Sequence, residues 1–272
     1  MWGEIHKSTN MIALYHFDEA SGTSHSDAMG NYDLTSGSSV DVETDITKSG
    51  NGIAIDPPSN NSYQGAIHTT VSDLQINYQD VENLRTIGVW CYPTYTDNVY
   101  SSYGQSIIAS ENLTYSSFQI YKQGVWNTEP DPIPSWLEDK FRFSYSLRIW
   151  KADSNNAAFG CTTNQDYYFS KPYFLLVVFK PSDVGTTNGY IDFYINFEKI
   201  NRYEDPGTVD TAWRLLYSNS QDRYLYIGAP SNNPQSNNVF EGRIDEVFLS
   251  KDTLTHSQIN SIKNNWKNAF II

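Results

Sequence analysis

The sequence predicts an all-β fold, an antiparallel sandwich carrying one short C-terminal helix. Three observations support this. Twenty Tyr, 13 Phe and 7 Trp stand beside only three Met, a composition that suits pleated, half-buried strands. Ten short runs of β-branched and aromatic residues are bounded by Gly, Pro, Asn and Asp, which reads as strands separated by turns. Helical spacing joined to a capping signal occurs at one place, near the C-terminus.

In chain order the expected strands are Leu14 to Phe17, Gly52 to Ile55, Thr86 to Tyr92, Ser106 to Ala109, Ser117 to Tyr121, Arg142 to Trp150, Tyr173 to Phe179, Tyr190 to Asn196, Arg223 to Ile227 and Arg243 to Leu249. In Phe141 to Trp150 apolar and polar residues alternate, so one face is buried and the other meets water or a ligand. In Tyr190 to Phe197 the residues Ile191, Phe193, Ile195 and Phe197 share a face, with Asp192, Tyr194 and Asn196 opposite. Alternation of this kind belongs to antiparallel sheets. For the helix, Thr255 caps, Gln258 completes a capping box, Leu254 and Ile259 form the staple, and Ile259, Ile262 and Trp266 line one face. It should lie as a lid on a sheet.

Gly124 to Lys140 carries Pro130, Pro132 and Pro134 between Trp126 and Trp136. Prolines at alternate positions exclude a central strand, so this is a stiff loop. Asn232 to Asn238, Gly30 to Ser39 and Asp56 to Gly65 read as further loops. No internal repeat is visible, and a β-sandwich of 272 residues commonly forms one unit. Residues 1–272 are therefore expected to be a single domain.

Thirty-one acidic against 18 basic residues give a formal charge of −13. The basic residues stand singly in the sequence with no basic patch in view, which argues against nucleic acid or an anionic membrane as partner. The longest apolar stretch, Tyr173 to Phe179, is about a third of what a membrane span needs. The first residues carry Glu4, His6 and Lys7, and the apolar run Met11 to Leu14 is too short for a signal-peptide core. Cys91 and Cys161 are expected as free thiols. Together these imply no signal peptide and assembly in a reducing cytoplasm. The five His residues lack metal spacing, no Ser sits in a G-x-S-x-G elbow, and no phosphate-binding glycine loop occurs.

Four stretches resemble laminin-G-like domains of the concanavalin A-like lectin/glucanase superfamily, which includes the pentraxins. They are A-L-Y-H-F-D-E-A-S-G-T (Ala13 to Thr23) with the following D-x-x-G-N (Asp27 to Asn31); T-I-G-V-W-C-Y-P (Thr86 to Pro93); Y-F-L-L-V-V-F-K with G-Y-I-D-F-Y-I-N (Tyr173 to Lys180, Gly189 to Asn196); and Y-L-Y-I-G-A-P with F-E-G-R-I-D-E-V-F-L-S-K-D-T-L-T (Tyr224 to Pro230, Phe240 to Thr255). The resemblance implies a concanavalin A-like jelly roll. Its first and last motifs would be neighbouring strands, Gly22 and Gly242 supplying turns or close approach.

Hydrolases of that superfamily place acid and nucleophile on one strand as E-x-D-x-x-E, because alternate residues share a face and sit about 5 Å apart. No such triplet occurs, and Glu138/Asp139, Glu204/Asp205 and Asp245/Glu246 are adjacent pairs. Adjacent strand residues point to opposite faces, so the chain reads as a non-catalytic binding or adhesion module rather than an enzyme. Calcium is the one cofactor the resemblance raises, with Glu111 and Asn112 in the position of a pentraxin Asp-Asn pair. One carboxylate plus amide carbonyls falls short of what Ca²⁺ prefers, and that question stays open.

A sugar needs an aromatic platform and groups that bond hydroxyls. Tyr121, Trp126 and Trp136 are the candidate platform, and Asn232, Asn233, Asn237 and Asn238 the candidate polar groups. The expected partner is a carbohydrate or a protein surface on a cell or particle. The alternative is a structural or decorating component of a phage or virus particle that uses the same fold for protein contacts. Oligomeric state is open in both.

Overall fold

The computed structural model describes residues 10–19, 23–35, 40–43, 52–55, 67–69, 78–94, 104–112, 115–124, 140–150, 157–183, 185, 188–204, 214–215, 224–229 and 239–267. The chain begins with β1 (Met11–Tyr15), β2 (Ser24–His25), β3 (Leu34–Thr35), β4 (Val40–Glu43), β5 (Gly52–Ile55), β6 (Ile67–Thr69), α1 (Tyr78–Glu82), β7 (Thr86–Pro93), β8 (Gln105–Asn112) and β9 (Tyr115–Gly124). It continues through β10 (Lys140–Trp150), β11 (Ala157–Thr162), β12 (Tyr167–Tyr168), β13 (Tyr173–Lys180), β14 (Tyr190–Ile195), β15 (Glu198–Glu204), β16 (Arg214–Leu215), β17 (Tyr224–Ile227) and β18 (Gly242–Ser250) to α2 (His256–Lys267).

Among the described residues these strands form two sheets. One runs β15-β14-β13-β7-β18-β5-β4, with β1 also on β18; the other runs β11-β10-β9-β8-β17-β6-β3-β2, with β12 and β16 also on β10. All named pairings are antiparallel. The two inner faces meet in one core, where Tyr145 of the second sheet packs on Phe193 of the first at 5.3 Å between ring centres. Phe143 likewise meets Tyr173 at 5.2 Å. Each fully buried large side chain contributes about 1.5–3 kcal/mol, which is how a chain with short strands builds a stable sandwich.

Each of the ten expected strands lies on an observed one, with ends moved by a few residues. The first ends at Tyr15 rather than Phe17 because Phe17 adopts a left-handed conformation (φ 54°) and leaves the ladder. The first and last motifs are indeed neighbours, Tyr15 opposite Val247 and Leu14 opposite Phe248. The sequence reading missed β15, whose E-K-I-N-R-Y-E lacks alternation because it is an exposed edge strand. It also missed α1, and it placed a loop over Leu34–Thr35, which pairs with β6.

Two expected facings change. Asn196 and Phe197 both have positive φ (50° and 68°) between paired Ile195 and Glu198, a two-residue type I′ hairpin turn. The turn swings Phe197 away from the face of Ile195, so that it stacks on Phe174 at 4.7 Å on the outer side of the first sheet. In β18 a bulge between Asp245 and Phe248, with Glu246 at φ 49°, breaks the alternation. Both Asp245 and Glu246 are consequently buried.

Helix α2 forms as its cap predicts. Gln258 N donates to Thr255 Oγ1 at 3.3 Å, and Thr255 N donates back to Gln258 Oε1 at 2.8 Å. Ile259 and Ile262 cover Met11, Leu14, Trp90, Leu176 and Phe248 on the outer face of the first sheet, with Leu254 beside them. The side chain of Trp266 lies outside the described residues, as does 268–272. Cys91 and Cys161 are free thiols, the first buried in the core.

Candidate functional site

With α2 covering the first sheet, the outer face of the second sheet is where polar side chains gather. Strand alternation puts Phe118, Ile120, Phe141, Phe143, Tyr145 and Leu147 into the core, so Gln119, Tyr121, Gln123, Arg142, Ser144 and Ser146 face outward. Register places Ser144 between Tyr121 of β9 and Thr162 of β11, and Ser106 of β8 on the other side of Tyr121.

These side chains form one hydrogen-bonded row. Tyr121 is hydrogen-bonded to Ser144. Ser144 Oγ donates to Thr162 Oγ1 at 2.9 Å, and Gln123 Nε2 donates to the same oxygen at 3.0 Å. Ser144 is fully buried although it stands on the outer face, because its neighbours close over it. Burial, more than any neighbouring charge, pushes the Tyr121 phenol above its ordinary value. Its ring packs on Gly104, where a Cβ would come within 2.0 Å of it. Ser106 Oγ, beside it, is buried with no hydrogen-bond partner among the described residues.

The row stands at the end of the sandwich where the predicted loops are anchored. β5 ends at Ile55 and β7 at Pro93, both opposite Gly242, where β18 begins. β9 ends at Gly124 opposite Phe141, and β8 begins at Gln105 opposite Lys122. Val239 makes a parallel bridge to Ser106. The described flanks of 56–66, 95–103, 125–139 and 230–238 therefore meet at one end, next to Tyr121. A buried lysine supports that end from below: Lys122 Nζ donates to Thr94 O at 3.3 Å.

Of the candidate sugar-binding residues, Tyr121 lies in the row. Trp126, Trp136, Asn232, Asn233, Asn237 and Asn238 fall outside the described residues. Glu111 and Asn112 lie in β8, paired with Ser116 and Tyr115 of the β8–β9 hairpin, and their side chains are likewise outside the described set. Among the described residues no three His, Cys, Asp or Glu side chains are grouped to hold a metal, and no helix is long and apolar enough to cross a membrane.

Sequence reasoning missed Gln123, Ser144 and Thr162. The alternation in F-R-F-S-Y-S-L puts Ser144 on the polar face, but only the pairing of β9, β10 and β11 shows that it meets Tyr121. It also saw the basic residues as scattered, whereas the fold brings Lys140, Arg142 and Lys171 to one edge. Lys140 and Lys171 both lie over the Tyr168 ring, and Arg142 Nε pairs with Asp166 Oδ1 at 3.0 Å.

A further ionisable pair sits at the opposing sheet. His16 Nδ1 and Glu246 Oε2 lie 2.9 Å apart, joining two chain segments that both hold left-handed residues. The hydrogen bond to Glu246 raises the His16 pKa from its ordinary value, against an opposing effect of burial. Asp245 Oδ1 accepts from Glu246 N at 2.8 Å. These carboxylates serve the bulge.

The fold is that of an antiparallel jelly-roll β-sandwich. No protein-family model matches the chain, and no curated protein matches it. Among solved structures it is similar to domain 4 of AbnA, a GH43 extracellular arabinanase from Geobacillus stearothermophilus, in complex with arabinotriose (TM-score 0.54, 14% identity, 93% of this chain and 98% of that one). It is also similar to the receptor-binding domain of botulinum neurotoxin C/D mosaic serotype (TM-score 0.56, 14% identity, 94% of this chain) and to Trypanosoma rangeli sialidase in complex with sialic acid (TM-score 0.54, 11% identity, 97% of this chain). The chain spans 51% of the neurotoxin domain and 34% of the sialidase. At these identities the likeness establishes the fold.

Proposed function

We propose that residues 1–272 form one non-catalytic binding module of laminin-G-like type that recognises carbohydrate. The ligand lies on the outer face of the second sheet, over Tyr121, Gln123 and Thr162, with the buried Ser144 holding Thr162 from beneath, and the loops carrying Trp126, Trp136 and Asn232 to Asn238 complete the site. The observation that carries this reading is the Tyr121 ring seated on Gly104 beside a row of hydroxyl and amide groups. An aromatic surface next to groups able both to donate and to accept is what a sugar ring with hydroxyls requires.

Binding rather than catalysis is supported by the carboxylates. Asp166, beside the row, is held by Arg142, and Asp245 and Glu246 are buried in the other sheet. The similar arabinanase domain holds arabinotriose, which fits the same reading.

A glycan-array screen with and without Ca²⁺ tests it. Specific binding that is lost in a Tyr121→Ala variant supports the proposal, and a clean negative under both conditions overturns it. Dependence on Ca²⁺ would point instead to the β8–β9 hairpin, where Glu111 and Asn112 lie at the other end of β8 from the Tyr121 row.

A further inference from the structure

We infer that Lys122 is a covalent capture site for a small apolar aldehyde, its amine adding to the carbonyl carbon while the side-chain amide of Gln105 holds the oxygen. This site lies on the inner face of the sandwich end and is separate from the outer row of Tyr121.

Alternation in β9 sends Phe118, Ile120 and Lys122 inward, so the last inward side chain of this core strand is an amine. Gln105, the first residue of β8, stands directly opposite Lys122 and therefore shares its face. The two residues are 4% and 3% exposed. Among the described residues neither Nε2 nor Oε1 of Gln105 has a hydrogen-bond partner, and Lys122 Nζ makes one hydrogen bond, to Thr94 O at 3.3 Å. Interior donors and acceptors left unsatisfied are costly. A guest that accepts from the amide and reacts with the amine relieves that cost.

The walls are apolar, with the rings of Phe141, Phe169 and Phe240 between 4.8 and 6.0 Å from Nζ. Burial brings the amine down to about 7 from 10.5, opposed by Glu241 and Cys91. Near pH 7 about half of it is unprotonated, against roughly one in 2,500 for an ordinary lysine. The unprotonated form is the nucleophile. Cys91, the other nucleophile in this corner, is pushed up by burial and stays a thiol.

The Nζ lone pair attacks the aldehyde carbon, a C–N bond forms as the carbonyl π bond opens, and a proton passes from nitrogen to oxygen. Gln105 Nε2 donates to that oxygen, and Oε1 accepts from the hydroxyl it becomes. The oxygen then leaves as water, taking the remaining nitrogen proton, and an imine is left with no oxidant or reductant consumed. The imine is neutral, so the burial that penalises the ammonium favours the product. The residues that close the corner stand at strand ends: Thr94 follows β7, Gln105 opens β8 and Phe240 precedes β18. Strand ends open more readily than strand centres, which admits a small uncharged molecule.

The test treats the full chain with propanal and cyanoborohydride, which delivers hydride to the imine carbon and fixes the adduct as a secondary amine. Peptide mass spectrometry then reads each lysine separately. At pH 7 Lys122 should be labelled about tenfold faster than any other lysine, the advantage that remains when restricted access costs about a hundredfold. Its rate should level off above pH 7 while the rates of the other lysines climb toward pH 9. Gln105→Leu should slow Lys122 alone by about fivefold, with near-UV circular dichroism confirming that the fold is retained. Lys122 left unlabelled while other lysines react, a rate no faster than theirs, or a rate indifferent to Gln105→Leu overturns the inference.

Discussion

The ammonium of Lys122 lies 4.8 Å from the centre of the Phe169 ring, inside the sandwich. Phe240 and Phe141 also face it, at 5.4 and 6.0 Å, and its polar contact is Thr94 O. Aromatic faces offset part of the loss of water, yet burial dominates and brings the Lys122 pKa down to about 7 from 10.5, with Glu241 and Cys91 opposing that shift.

A depressed lysine makes the unfolded chain the better proton binder between these two values, so stability rises with pH across that window. The penalty is fully present below pH 7 and relieved toward pH 10.5. Urea midpoints measured from pH 6.5 to 9.5 should therefore climb more steeply for the wild type than for Lys122→Met, by up to about 1.4 kcal/mol per pH unit. Equal slopes would show that Lys122 is solvated in the folded state.

His16 behaves oppositely. Its folded pKa is raised by Glu246, so its contribution is fully present below 6.5, its ordinary value, and is lost as pH rises through the folded value. A His16→Gln variant should lose stability at pH 5.5 and match the wild type more closely at pH 8.5. NMR titration of the His16 ring reads the shift directly, and a midpoint at or below 6.5 contradicts it.

Asp27 accepts from four main-chain N–H groups: Leu14 and Met29 on one oxygen, Asn31 and Tyr32 on the other, at 2.8–3.0 Å. Removing a buried acceptor leaves those donors unsatisfied. Asp27→Ala should cost about 3 kcal/mol in denaturant unfolding, and a loss below about 1 kcal/mol would mean that water replaces the carboxylate.

Gly242 has φ 142°, and a Cβ there would come within 2.3 Å of Tyr92 O, a main-chain atom that cannot turn aside. Gly242→Ala should destabilise by about 3 kcal/mol or more, seen as a lower Tm. Gly104→Ala differs, because the atom it meets belongs to the Tyr121 ring. It should spare most stability and weaken glycan binding by displacing that ring.

Much of the fold was legible because local rules and burial agree. T-I-G-V-W-C-Y-P and Y-F-L-L-V-V-F-K are apolar but for Thr86 and Lys180 at their ends, and they pair with each other in the centre of the first sheet, covered on both faces. Thr255 and Gln258 gave the helix start from four residues of sequence. What stayed hidden depends on pairing across long separations. Nothing local says that Thr162 meets Ser144 and Gln123, or that Lys171 comes to Lys140. The facing of Glu246 was hidden because one left-handed residue in a bulge reverses an alternation rule. In the candidate site, Tyr121 was legible as an aromatic at a strand end, and its polar neighbours were not.

The most direct test of the central claim is a titration of the best array ligand against wild type, Tyr121→Ala and Gln123→Ala. Each substitution should weaken binding about tenfold or more with the fold intact, since a lost stacking surface or hydrogen-bond partner is worth about 1–3 kcal/mol. Affinity unchanged in both variants would place the ligand elsewhere and contradict a carbohydrate site on this face.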